Sequence, residues 1–125
     1  MVEFKSSDNG ATICFAVIRG GSDGTDFYVE VKSPFGSAKT NSSTYFNGSP
    51  AALFKSMAAE WKGWKKEKIW SDLESAVVLT ARSDSTGHTK LTVKLTDYES
   101  SFETVLVFEA GKLESMANEI ATLLP

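Results

Sequence analysis

Hydrophobic and polar positions change period along this chain, from two to nearly four and back again. Thr12–Arg19 (TICFAVIR) is a short, almost continuous apolar run of strand formers, suited to a strand buried on both faces. A turn cluster, Gly20-Gly21-Ser22-Asp23-Gly24, follows it. Beyond that turn Phe27, Val29 and Val31 alternate with Tyr28, Glu30 and Lys32, the signature of a half-buried strand. These two strands are expected to form a hairpin. After Pro34-Phe35-Gly36, the serine- and threonine-rich segment 37–46 predicts a polar strand at a sheet edge.

The period then lengthens. Leu53, Phe54, Met57, Ala58 and Trp61 share one face of a helix, with Ser49 as its cap and Pro50 at the first helical position. Gly63 is the expected left-handed terminator, which puts Trp61 on the last turn and Trp64 beyond it. Strand periodicity returns at 76–83 (AVVLTARS) and is closed by the turn Asp84-Ser85-Thr86-Gly87. Thr89, Leu91, Val93 and Leu95 then alternate with His88, Lys90, Thr92 and Lys94. Asp97-Tyr98-Glu99-Ser100-Ser101 turns the chain into a third strand, FETVLVFE. A helix after Gly111 closes the pattern, with Leu113, Met116, Ala117, Ile120 and Leu124 on one side. The predicted architecture is α+β: one twisted antiparallel sheet, order βββαβββα, with two helices on one face. Ser56-Met57-Ala58-Ala59-Glu60 and Ser115-Met116-Ala117-Asn118-Glu119 agree at four of five positions, a hint of an internal repeat.

At 125 residues the chain is expected to be a single domain, 1–125, able to bury a core without disulfides or metals. Cys14 is the only cysteine, so no internal disulfide can form. No run approaches the ~20 apolar residues of a membrane span, and Met1–Asp8 lacks a signal-peptide pattern, so a cytoplasmic protein is expected. The net charge of −3 is uneven. Trp61–Trp70 holds all three tryptophans and four lysines against one glutamate, leaving −6 for the remainder. A mildly acidic body argues against nucleic-acid binding, which needs cations in excess.

No catalytic constellation stands out. One histidine and one cysteine cannot build a zinc site, and no carboxylates follow a calcium-loop spacing. Hence no metal, cofactor or catalytic residue is assigned. His88 is the default candidate for a general base, but packing or a turn bond accounts for it as well. The glycines at 20, 21 and 24 join two strands and are read as a hairpin turn, since a phosphate cradle opens a helix. Trp61 and Trp70 are expected in the core; Trp64 is the one of the three best placed for exposure.

The run Leu53-Phe54 … Trp61-Lys62-Gly63-Trp64 … Ile69-Trp70-Ser71-Asp72-Leu73-Glu74 … Gly87-His88-Thr89, with Gly111-Lys112-Leu113-Glu114, resembles a family of small bacterial proteins classed as a domain of unknown function. The likeness covers about 49–124. Lys65, Lys66 and Lys68 depart from the family pattern, which weakens a nucleic-acid role for that segment. The resemblance carries no activity and transfers no catalytic residue. By analogy, small acidic domains of this sort are similar to immunity proteins that neutralise bacterial toxins. The expected function is therefore non-enzymatic binding of a basic protein, such as a toxin, through Tyr28, Glu30, Asp97, Tyr98 and Glu99. The alternative is a small-ligand or enzyme pocket near Trp64 and His88.

Overall fold

Phe27, Val29 and Val31 alternate along the third strand, and all three are fully buried in the computed structural model, which describes Met1–Pro125. The strand containing them, β3 (Thr25–Ser33), is the centre of a meander with β1 (Val2–Lys5), β2 (Thr12–Gly20) and β4 (Gly36–Ser43). Helix α1 (Ala51–Ala59) follows. A second meander comprises β5 (Lys68–Ser71), β6 (Val77–Ser83), β7 (His88–Asp97) and β8 (Ser100–Glu109). A 3₁₀ turn at Ala110–Lys112 leads into α2 (Leu113–Leu123). The sheets have orders β1-β2-β3-β4 and β5-β6-β7-β8, with every pair antiparallel.

The fold is α+β, but the expected single sheet of order βββαβββα does not form. The observed order is ββββαββββα in two sheets. The two added strands, β1 and β5, are four residues each and bury one side chain apiece, Phe4 and Trp70. Four residues give too little alternation to register as a strand. The helical crossover between β4 and β5 separates the ladders, so neither strand pairs across it. Each half of the chain repeats the same ββββα order, and the similar pentapeptides fall in α1 with its C-cap residue and in α2, where Met57 and Met116 are both buried.

One core joins both sheets and both helices. Its spine is a run of aromatic rings: Phe108 meets Phe4 at 6.4 Å, Phe4 meets Phe54 at 5.5 Å, and Phe27 meets Trp70 at 6.3 Å. These are edge or tilted pairs at separations where aromatic quadrupoles attract. Trp70 is buried as expected, and its indole N–H donates to the Gly48 carbonyl at 3.3 Å. Trp61 is not in the core: it is 54% exposed. The helix stops at Ala59, and Glu60 leaves helical geometry at φ −113°, ψ 40°. The phase that would carry Trp61 onto the face of Leu53 and Met57 is therefore broken two residues too early. Ser49 caps α1 from one position further out than expected, its hydroxyl accepting the Ala51 N–H at 3.0 Å and donating to the Leu124 carbonyl. No helix is long and apolar enough to cross a membrane.

Candidate functional site

The β1–β2 loop lies on the outer edge of β8. Val107 donates its N–H to the Ser6 hydroxyl at 2.9 Å, Ser7 donates to the Val107 carbonyl at 2.8 Å, and Asn9 donates to the Val105 carbonyl at 3.0 Å. On the opposite flank of the molecule, β4 has no such cover. Three shallow depressions follow one another along its free edge. The first lies between Ser42, Tyr45 and Phe46 on one wall and Leu73 and Glu74 on the other. The second shares Glu74 and Ala76 with it and adds Thr40, Asp97 and Tyr98. The third continues from Thr40 to Ser37, against Thr96, Asp97 and Phe102. Together they make one groove, with β4 as one wall and the β5–β6 loop and β7–β8 turn as the other.

Local chemistry fixes both walls. Asp72, buried in the β5–β6 loop, accepts the Ser42 hydroxyl at 2.6 Å and the Ala76 N–H at 2.8 Å, so one carboxylate ties that loop to β4. Gly24 makes room for the Tyr45 ring, since a Cβ there would lie 2.8 Å from a ring carbon. The three non-glycine residues with positive φ all belong to this groove or the loop that forms it: Phe46 at 69°, Ser75 at 58° and Tyr98 at 55°. Phe46 is the centre of a tight turn in which the Asn47 N–H reaches the Tyr45 carbonyl at 2.8 Å, the strained, positive-φ form of a γ-turn. Each such conformation costs about 1–3 kcal/mol and persists only where its surroundings enforce it. Here the strain holds two aromatic side chains in water, Phe46 at 85% and Tyr98 at 97% exposure. Carboxylates surround them. Asp26, Glu74 and Asp97 line the groove against one lysine, Lys39, whose ammonium lies 3.9 Å over the Tyr28 ring. Asp26 also meets the Arg19 guanidinium at 3.5 Å, an exposed and hence weak pair.

Of the sequence-derived candidates, Asp97 and Tyr98 line this groove, while Tyr28 and Glu30 face outward one strand behind it. Tyr28 and Glu30 lie on β3, opposite Asn41 and Lys39 of β4. Asp97, Tyr98 and Glu99 form the β7–β8 turn on the facing wall. Phe46, Leu73 and Glu74 were not singled out for binding by sequence reasoning. Phe46 precedes Asn47-Gly48, and an aromatic beside a turn dipeptide was the available signal; nothing in the pattern marks Leu73.

Trp64 and His88 belong elsewhere, toward the β6–β7 end of the second sheet. Trp64 is half-buried against the core, its indole N–H donating to the Ala81 carbonyl at 3.3 Å. His88 fastens a hairpin turn. Its Nδ1 lies 2.9 Å from the Thr86 hydroxyl, and its backbone N–H donates to Asp84 at 2.9 Å. The His88 N–H, the Thr86 hydroxyl and the Thr86 N–H hold the Asp84 carboxyl down at about 2 from an ordinary 3.8. Neither Trp64 nor His88 lines any depression of the surface. No three His, Cys, Asp or Glu side chains converge as metal ligands.

Residues 4–125 match the Family of unknown function (DUF6228). The chain belongs to this family. The DUF6228 match begins at residue 4, so it takes in the amino-terminal strands, well before the point near Ser49 where the resemblance was first legible. No curated protein matches the chain in sequence. In structure it is similar to a crystal structure of Trypanosoma bruciei MRP1/MRP2, with a TM-score of 0.55 at 8% identity. That alignment covers 98% of this chain and 81% of the other. Such a likeness concerns the fold of this DUF6228 protein alone.

Proposed function

We propose that this protein is a non-enzymatic protein-binding module that receives a basic partner in the groove beside β4, in the manner of an immunity protein neutralising a bacterial toxin in the cytoplasm. One observation carries the reading: the strained backbone of Phe46 and Tyr98 holds exposed rings within a ring of carboxylates. An apolar side chain kept in water at a cost in backbone strain is an anchor waiting for a surface. Asp26, Glu74 and Asp97, with Glu30 and Glu99 nearby, supply the field that would steer a cationic partner. A standard interface needs ~800 Å² per partner, a small part of the 7148 Å² exposed here. The alternative, a pocket beside Trp64 and His88, is supported less: both side chains already have partners, and the depression nearest them is lined by Arg82, Ser83, Asp84 and Lys90 instead.

The test compares immobilised wild-type protein with a Glu74→Lys/Asp97→Lys variant in host lysate at rising salt. The expected result is a basic protein retained by wild type, released by salt and ignored by the variant. Once that partner is purified, Glu30→Lys and Asp97→Lys should slow association about tenfold and flatten its salt dependence. Capture that is indifferent to charge reversal would overturn the reading.

A further inference from the structure

We propose that the partner enters the groove as an extended, cationic segment that hydrogen-bonds to β4 and becomes a fifth strand of the first sheet. This rests on the reading of the groove as a protein-binding surface, and it specifies how that surface is used.

The four outer edges of the two sheets are treated unequally. β1 and β5 are only four residues long, and the Ser71 carbonyl at the end of β5 is taken by the Asn47 amide at 2.9 Å. β8 is bound by Ser6, Ser7 and Asn9. β4 is eight residues long, runs in unbroken register with β3, and pairs with nothing on its other side. Antiparallel ladders alternate, so residues bonding inward are two apart. Thr44 donates to the Thr25 carbonyl at 3.0 Å, continuing the ladder and setting its phase. Even-numbered residues of β4 therefore bond to β3. The N–H and C=O groups of Ser37, Lys39, Asn41 and Ser43 point away from the sheet, and no loop or strand of this chain answers them.

Proteins usually protect such an edge with lysine, proline or a bulge. β4 has no proline and no bulge, and its lone lysine is drawn over the Tyr28 ring. Short serine, threonine and asparagine side chains leave the backbone open. Across the gap stand Glu74 and Asp97, so a strand laid here would present its alternate side chains to carboxylates. Main-chain bonds would supply affinity and alternate lysines or arginines the selectivity, as in other strand-addition complexes.

The experiment uses the full chain and a blocked octapeptide of alternating lysine and threonine. Hydrogen exchange should slow at Lys39, Asn41 and Ser43 when the peptide binds. N-methylation of the peptide's donor amides, which keeps its charge, should weaken binding about fivefold for each bond lost. Asn41→Pro removes an outward N–H without touching the β3 ladder, a substitution edge strands tolerate. It should weaken binding to a similar degree while the circular-dichroism melt stays near wild type. Binding that depends on Glu74 and Asp97 but ignores N-methylation would overturn strand addition and leave the basic-partner reading intact. Binding indifferent to both, or none up to millimolar peptide, would overturn both. Concentration-dependent self-association lost in Asn41→Pro would assign the edge to a second copy and overturn the cationic segment.

Discussion

The Ser42 hydroxyl donates to the buried Asp72 carboxylate at 2.6 Å, and through this contact the edge strand of one sheet is held to a loop of the other. The same carboxylate accepts the Ala76 N–H at 2.8 Å, closing the loop that carries Leu73 and Glu74. Removing it leaves a half-buried hydroxyl and a half-buried amide without these partners. Asp72→Ala should therefore cost about 3 kcal/mol, and Ser42→Ala about 1–2 kcal/mol. Denaturant unfolding of both singles and the double should reveal coupling of at least ~0.5 kcal/mol. Additive effects would mean that the two walls are held by other contacts.

Trp70 and Trp61 should separate cleanly in a stability comparison. Trp70 packs on Phe27 across the sheets and bonds the Gly48 carbonyl, so Trp70→Ala should cost about 3–5 kcal/mol. Trp61 lies outside the helix with its ring half in water, attended by the Lys62 ammonium at 5.4 Å. Its replacement by alanine should cost less than ~1 kcal/mol. Equal losses at 61 and 70 would contradict the packing.

Trp61 also marks where the sequence ceased to be legible. Periodicity located β2, β3, β6, β7 and β8 because each is long enough to repeat its alternation, and Leu53, Phe54 and Met57 made α1 visible. Apolar phase does not report where a helix ends, and Glu60 departs from helical geometry with no preceding signal in composition. The split into two sheets was hidden for a related reason. β1 and β5 each bury one residue, and the decision not to pair β4 with a later strand is made by tertiary packing. Of the groove, the acidic β7–β8 turn could be read from Asp97-Tyr98-Glu99. The polar edge strand of its other wall was legible too, but not the Phe46 end of it, because Phe46 becomes exposed only through a left-handed backbone that its residue type does not favour.

Asp84 gives the fold an acid-side dependence of known sign. Its carboxyl is lowered from 3.8 to about 2, first by the His88 N–H and then by the Thr86 hydroxyl. The folded state thus binds its proton less readily than the unfolded chain. The stabilisation is complete above pH 3.8 and is lost as the pH falls through about 2. Carboxyl NMR should place the Asp84 midpoint near 2. Asp84→Ala should lessen the fall in stability over that window. A midpoint in the ordinary range would mean the turn bonds do not persist in solution.

Cys14 should be silent toward thiol reagents in the native protein. Its side chain is buried on β2, and burial, followed by the charges of Glu3 and Glu30, pushes its pKa above 9.0. The thiolate that attacks a disulfide reagent is scarce at neutral pH and sheltered besides. Labelling with an aromatic disulfide should therefore follow global unfolding, accelerating with denaturant in step with loss of structure. Rapid labelling of the folded protein would show that the outer face of the first sheet opens locally.

Tyr98 supplies the sharpest separation of stability from binding. Held at φ 55° and almost fully exposed, it gains little from packing and bears the cost of a left-handed backbone. Glycine adopts that conformation freely, although it adds entropy to the unfolded chain. Tyr98→Gly should thus raise stability by about 1 kcal/mol, measured by chemical denaturation. The same substitution removes an anchor, so affinity for the basic partner should fall about tenfold or more. Ser75→Gly is the control: it relieves similar strain at φ 58° without deleting an aromatic ring, and should stabilise while leaving affinity within about twofold. If Tyr98→Gly stabilised the protein and bound equally well, the strained tyrosine would be a tolerated accident of the turn, and the anchor role would pass to Phe46 or fail altogether.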